Sequence, residues 1–254
     1  MSQFDSYAIC TSPRSGSTLL CNMLTATGIA GKPKSYFFGN TLDGWIEDLA
    51  LDIAQAATES DLIQQAMQVA MAKGRNGTAI FGQRLQAHSL AFFLEKLAVL
   101  HPEAATDAER FQLTFGRTLF VHLRRPDKLD QAISYLKARQ TGLWHMAPDG
   151  SELERTAAHR DPVYDRDQLH ACIETFAGYD QHWDNWFASQ AIVPVRLSYD
   201  ALSLDPLGTL RHVLEQLGLD PTAADSVTPG VKKLADGIND DWAARYRAES
   251  VPVD

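Results

Sequence analysis

Residues Cys10 to Leu24 read CTSPRSGSTLLCNML, a polar loop, SPRSGST, set between two apolar runs. The run before it, Tyr7 to Cys10, has strand composition, and after it Leu19, Leu20, Met23, Leu24 and Thr27 recur at helical spacing. The loop therefore joins a strand to a helix. Such a junction gathers several backbone N–H groups around one point, and the helix dipole adds partial positive charge there, which is a site for phosphate or sulfate. Set against the nucleotide-binding pattern G-x-x-x-x-G-K-[ST], Gly16 and Thr18 match, while Thr11 stands for the first Gly and Ser17 for the Lys. In ATP and GTP enzymes that Lys neutralises the terminal phosphates beside a metal ion. Here Arg14 is the nearby cation, a fork suited to a less heavily charged group. A transferring sulfuryl group carries less negative charge than a phosphoryl group and needs no obligatory metal.

Outward from this loop, strand-like runs at Tyr7–Cys10, Thr78–Phe81, Leu119–Leu123 and Ile192–Leu197 alternate with helical segments. That is the order of an α/β domain with a mainly parallel central sheet flanked by helices. The run Thr118 to Leu123 is nearly all apolar, as a strand covered on both faces would be. Helical stripes are clearest at Leu169, Cys172, Ile173, Phe176, Trp183 and Trp186, and at Leu207, Leu210, Val213, Leu214 and Leu217, with Gly218 as a stop. The polar stretch 141–167 reads as a surface segment or lid within one domain spanning residues 1–254.

The chain has 254 residues, 45% of them hydrophobic, and a formal net charge of -9. An acidic balance argues against nucleic acid or an anionic membrane as partner, because both require phosphates to be neutralised by Lys and Arg. Cys10, Cys21 and Cys172 form no C-x-x-C spacing, so no zinc site is expected, and reduced thiols suit a cytoplasmic protein. No export signal or membrane span is read in the chain.

A second basic element, LRRPDKLDQAISYL from Leu123 to Leu136, starts at the C-terminal end of the best strand, where ligands of open α/β sheets collect. Pro126 fits a first helical turn, and Leu129, Ala132, Ile133 and Leu136 form a buried stripe. Arg124 or Arg125, with Ser134, could grip a second phosphate; alternatively these arginines pair with Asp127 or Asp130. Two anion grips without a kinase lysine outline a nucleotide phosphorylated at two places, as in 3'-phosphoadenosine 5'-phosphosulfate (PAPS).

At this point the chain resembles the trehalose 2-sulfotransferase-like family of the PAPS-dependent sulfotransferase superfamily. The resemblance is carried by SPRSGSTLL at 12–20, ATGIAGKP at 26–33, FGQRL at 81–85, HLRRPDKLDQAISYLKARQTGLW at 122–144, VRLSYDAL at 195–202 and KLADGINDDWAARYR at 233–247. It implies a P-loop-like fold, PAPS as co-substrate without a metal, and sulfuryl transfer to a hydroxyl of a carbohydrate or other small metabolite. It further implies that Arg14, Ser15, Gly16, Ser17 and Thr18 hold the 5'-phosphosulfate, that Arg125 and Ser134 hold the 3'-phosphate, and that Lys233 lies near the cofactor. Arg14 is then also catalytic, and homodimers occur in the family.

The chain departs from the family at Ser35, in GKPKSYF, where the trehalose-modifying enzyme carries a Glu regarded as the general base. A Ser of ordinary pKa is a poor proton acceptor. His88 is the first substitute, as an imidazole poised near neutral pH; Asp43 and Glu47 are carboxylates that could reach in. Ser35, Tyr36, Phe37 and the 141–167 segment are expected to shape the acceptor pocket, and Arg84 to orient the acceptor or steady the transferring group. Two rivals stay open: a P-loop small-molecule kinase, and a phosphoadenosine-binding protein without turnover.

Overall fold

A computed structural model describes residues 3–146, 149–230 and 234–250 of the chain. Its core is a four-stranded parallel sheet. Strand β1 (Ser6–Thr11) lies between β2 (Phe81–Gln86) and β3 (Thr118–Arg124), and β6 (Val195–Ser198) pairs with the far side of β3. Every residue of β1 is buried, because both faces of the sheet are covered. On one face, Ala8, Cys10, Phe81 and Phe120 pack on helices α2 (Leu42–Leu49), α3 (Glu59–Arg75), α4 (Ala87–Leu100), α5 (Asp107–Phe115) and α7 (Arg166–Ser189). On the other, Tyr7, Ile9, Val121 and Leu123 pack on α1 (Ser17–Ala26), α8 (Tyr199–Leu204) and α9 (Pro206–Gln216). A third cluster joins α6 (Lys128–Thr141) and α7 to α10 (Gly237–Glu249) through Ile133, Leu136, Phe176 and Trp242. None of the described helices is long and apolar enough to cross a membrane.

The chain runs from β1 to β2 on one side and returns to β3 on the other, so the strand order reverses between β1 and β3. The SPRSGST loop follows β1 and the Arg124–Arg125 pair ends β3, which places both at the crevice that such a reversal opens.

Two strands lie a few residues later than their apolar runs suggest. The run at Thr78–Phe81 is mostly a connection, with Thr78 Oγ1 bonding the carbonyls of Arg75 and Ile80. The strand itself is Phe81–Gln86, paired residue for residue with β1. Its polar Gln83, Arg84 and Gln86 hide it from hydropathy because its C-terminal end serves the crevice. Likewise the run at Ile192–Leu197 yields a strand only from Val195, since Pro194 has no N–H to give a ladder and Ile192 N caps α7 on Phe187 O. The 141–167 segment contains an antiparallel hairpin, β4 (Leu143–Met146) with β5 (Glu152–Arg155).

Candidate functional site

The loop after β1 turns on two left-handed residues, Arg14 at φ 62° and Gly16 at φ 86°. Gly16 is required there, because a Cβ would also come within 2.9 Å of the Tyr199 ring. Gly16 caps α1 without a side-chain hydrogen bond, so the first amides of that helix are left to the crevice. The loop's base is pinned from three elements. Thr11 Oγ1 bonds Ser15 Oγ and donates to Leu123 O at 2.7 Å, and Trp183 Nε1 of α7 donates to Thr11 O at 3.1 Å. Gln131 of α6, fully buried, donates to Ser12 Oγ at 2.9 Å and to Pro13 O at 2.7 Å.

Three arginines converge on this loop. Arg14 donates from Nε to Ser134 Oγ at 2.9 Å and from Nη1 to the Trp144 carbonyl at 2.6 Å. Burial, and then the neighbouring Arg125, push its pKa down to about 10. Arg84, at the end of β2, donates from Nε to Ser35 Oγ at 2.8 Å and from Nη1 to Thr18 Oγ1 at 3.0 Å. Among the described residues neither Arg14 nor Arg84 has a carboxylate within ion-pair distance; both are held by hydroxyls and a carbonyl. Two half-buried positive charges oriented this way, beside uncapped helix amides, call for an anion. Arg125, 6% exposed, lies over the Tyr199 ring at 4.3 Å and pairs with Asp130 at 3.1 Å. Both alternatives for this arginine pair thus meet in Arg125, which faces the crevice and pairs with Asp130, while half-exposed Arg124 turns to Asp184 at 3.9 Å, a partner the sequence did not suggest.

The crevice opens into a cavity of about 1050 Å³ lined by Arg14, Gly16, Ser17, Thr18, Arg125 and Ser134, among others. Arg84 and His88 line it too. That volume is at the upper end of small-molecule sites and leaves room for two reactants. His88 sits in the first turn of α4 with its ring edge-on to Phe38 and near Tyr179, and burial lowers its pKa.

Several expected acceptor residues lie elsewhere. Phe37 is 2% exposed and packs edge-on or tilted against Trp45, Phe93 and Phe115, and Tyr36 is buried with its hydroxyl on the Lys32 carbonyl. The aromatic cluster beneath α2 and α4 draws both into the core, and their neighbour Phe38, 48% exposed, lines the cavity instead. Asp43 and Glu47 are exposed on α2, outside the cavity lining. Ser35 is engaged by Arg84. Lys233 lies outside the described residues.

The β4–β5 hairpin, within the 141–167 segment expected at the acceptor pocket, supplies site groups that no sequence signal singles out. Besides Trp144 O on Arg14, His145 Nε2 lies 3.2 Å from Thr18 Oγ1 and 3.4 Å from Glu154 Oε2. Burial, then Arg14 and Arg84, push the His145 pKa down to about 4. Glu154 is the one carboxylate among the described lining residues. No motif spacing signals this pair, because a hairpin in a polar segment brings it to the cradle.

Comparison with known proteins gives three findings. The family model described as Stf0 sulphotransferase matches residues 6–249. Trehalose 2-sulfotransferase of Mycobacterium tuberculosis (strain ATCC 35801 / TMC 107 / Erdman) is 28% identical over 96% of this chain and 95% of its own, and that of Mycolicibacterium smegmatis (strain ATCC 700084 / mc(2)155) is 28% identical over the same shares. The sulfotransferase domain from the Synechococcus PCC 7002 olefin synthase aligns with 100% of this chain and 91% of its own at 14% identity, with a TM-score of 0.49.

Proposed function

The chain belongs to the Stf0 sulphotransferase family and is a sulfuryl-transferring enzyme, and we propose that it moves the sulfuryl group of PAPS to a carbohydrate hydroxyl. The observation that carries the donor side is the pair of half-buried arginines, Arg14 and Arg84, held around an uncapped helix start with no carboxylate among the described residues in ion-pair range. In this reading Arg14, Ser15, Gly16, Ser17 and Thr18 hold the 5'-phosphosulfate. Arg125 and Ser134 hold the 3'-phosphate, with Tyr199 stacked on Arg125 to fix its plane. Lys233 is kept as a further donor contact by resemblance alone. The donor supplies the activated S–O bond; the protein's part is to align it with the acceptor and to stabilise the charge left on the departing phosphate. Arg14 serves that charge.

The acceptor side is proposed to be a sugar, as the names of the mycobacterial relatives suggest, against a wall formed by Phe38, His88 and Trp144. A sugar offers apolar faces for such rings and hydroxyls for the polar groups between them. We place the enzyme in the cytoplasm, as one domain able to dimerise and with neither nucleic acid nor membrane as partner. Its three unpaired cysteines and net charge of -9 support the compartment and the partner class.

Isothermal titration with adenosine 3',5'-bisphosphate and, separately, ATP with Mg²⁺ tests the donor class. Selective binding of the bisphosphate, weakened at least tenfold in Arg125→Ala, is the expected result. Preference for ATP, or binding of neither, would refute it.

A further inference from the structure

Sulfuryl transfer releases a proton from the acceptor hydroxyl, and something must take it. Ser35 cannot, because its hydroxyl is a poor base and already accepts from Arg84 Nε at 2.8 Å. His88 lies in the cavity wall with Phe38 and Tyr179 as ring neighbours. His145, in contrast, touches the cradle itself: its Nε2 is 3.2 Å from the hydroxyl of Thr18, in the first turn of α1. An acceptor poised to attack a sulfuryl group seated at that turn must pass within reach of the imidazole.

The contacts of Nε2 bear on which tautomer the base needs. Thr18 Oγ1 accepts from Arg84 Nη1 at 3.0 Å and keeps a proton and a second lone pair, so it can donate to His145 Nε2 or accept from it. A base must carry its proton on Nδ1 and leave Nε2 free, which is the form in which Thr18 donates. Glu154 Oε2 lies 3.4 Å from the same nitrogen, across the hairpin that carries both residues.

We propose that His145, backed by Glu154, is the general base of this enzyme. The acceptor hydroxyl displaces Thr18 from Nε2, its oxygen forms a bond to sulfur as the bond from sulfur to the phosphate oxygen breaks, and that oxygen keeps the electron pair. The proton passes to Nε2, and the imidazolium is balanced by the Glu154 carboxylate before it releases the proton to water. The inference rests on the sulfotransferase reading above.

The groups facing His145 are Arg14 from the loop, Thr18 from α1, Arg84 from β2 and Glu154 from β5. Burial, and then the two arginines, hold the imidazole neutral in the free protein. A bound phosphate dianion offsets the arginines' share, so the imidazole becomes more basic when nucleotide is present.

Two readouts test this. In ¹⁵N imidazole NMR, His145 of the free protein should be the Nδ1–H tautomer, and its titration should move upward on saturation with adenosine 3',5'-bisphosphate; Glu154→Gln should shrink that movement. An Nε2–H tautomer, or a titration the bisphosphate leaves in place, would overturn the proposal without touching the donor assignment, which the calorimetry decides alone. In transfer from PAPS to the sugar that turns over, His145→Ala should lower kcat at least 100-fold, remove the acid limb of its pH profile and leave bisphosphate affinity within threefold. Retained activity and acid limb in His145→Ala, or loss of that limb in His88→Ala instead, would refute it.

Discussion

Replacing Gln131 by Leu separates the cradle from the helix that holds it. Gln131 is fully buried, and its amide donates to Ser12 Oγ at 2.9 Å and to Pro13 O at 2.7 Å while accepting from Lys128 Nζ at 3.2 Å. Leucine keeps the volume but leaves both acceptors of the loop without their donor. Each such loss costs about 1–2 kcal/mol, so about 3 kcal/mol of stability should go, equivalent to a Tm drop of roughly 6–12 °C in a chain of this size. The loop would also lose its orientation, and adenosine 3',5'-bisphosphate should bind at least tenfold more weakly than to wild type. Thermal unfolding followed by circular dichroism, paired with titration of the bisphosphate, checks both numbers. A Tm within about 2 °C of wild type with unchanged affinity would refute the claim that Gln131 anchors the site.

Three further outcomes are expected. Arg14→Gly should keep or raise Tm, because it removes a desolvated charge beside Arg125 and relaxes a left-handed residue at φ 62°, yet it should weaken bisphosphate binding by roughly 10–100-fold; calorimetry and thermal melts together test the opposed signs. His122, buried in β3 near Phe187, Asp184 and Arg196, has its pKa lowered to about 4, chiefly by burial. The unfolded chain therefore binds more protons between about pH 6.5 and 4, so stability is lost as pH falls through that window, by on the order of 3 kcal/mol relative to His122→Leu in urea titrations at pH 7 and 4. Phe37→Ala should cost about 3–5 kcal/mol of stability, whereas Phe38→Ala should leave Tm nearly unchanged and raise the acceptor KM, as melts and steady-state kinetics will read.

Much of this was open to reading in the chain. The cradle announces itself because Arg14 and Gly16 interrupt strand and helix patterns at the place where an anion is held, and the stripe Ala132, Ile133, Leu136 is buried as helical spacing implies. What escaped has a common cause. Phe37 and Phe38 are adjacent and chemically identical, and only the packing of Trp45 and Phe93 decides which is core. Gln131 looks like one polar residue on a helix until α6 is laid against the loop. His145 and Glu154 lie in a polar stretch without period, and register across a hairpin, which spacing does not reveal, carries them to Thr18.

The most direct test of the central claim is to incubate the protein with PAPS and a panel of sugars that includes trehalose, following adenosine 3',5'-bisphosphate release and product mass. Release that depends on a sugar, with a sulfate ester on that sugar and no need for added metal, is the predicted result. Nucleotide that stays intact with every sugar, or phosphorylated product formed only with ATP, would contradict it.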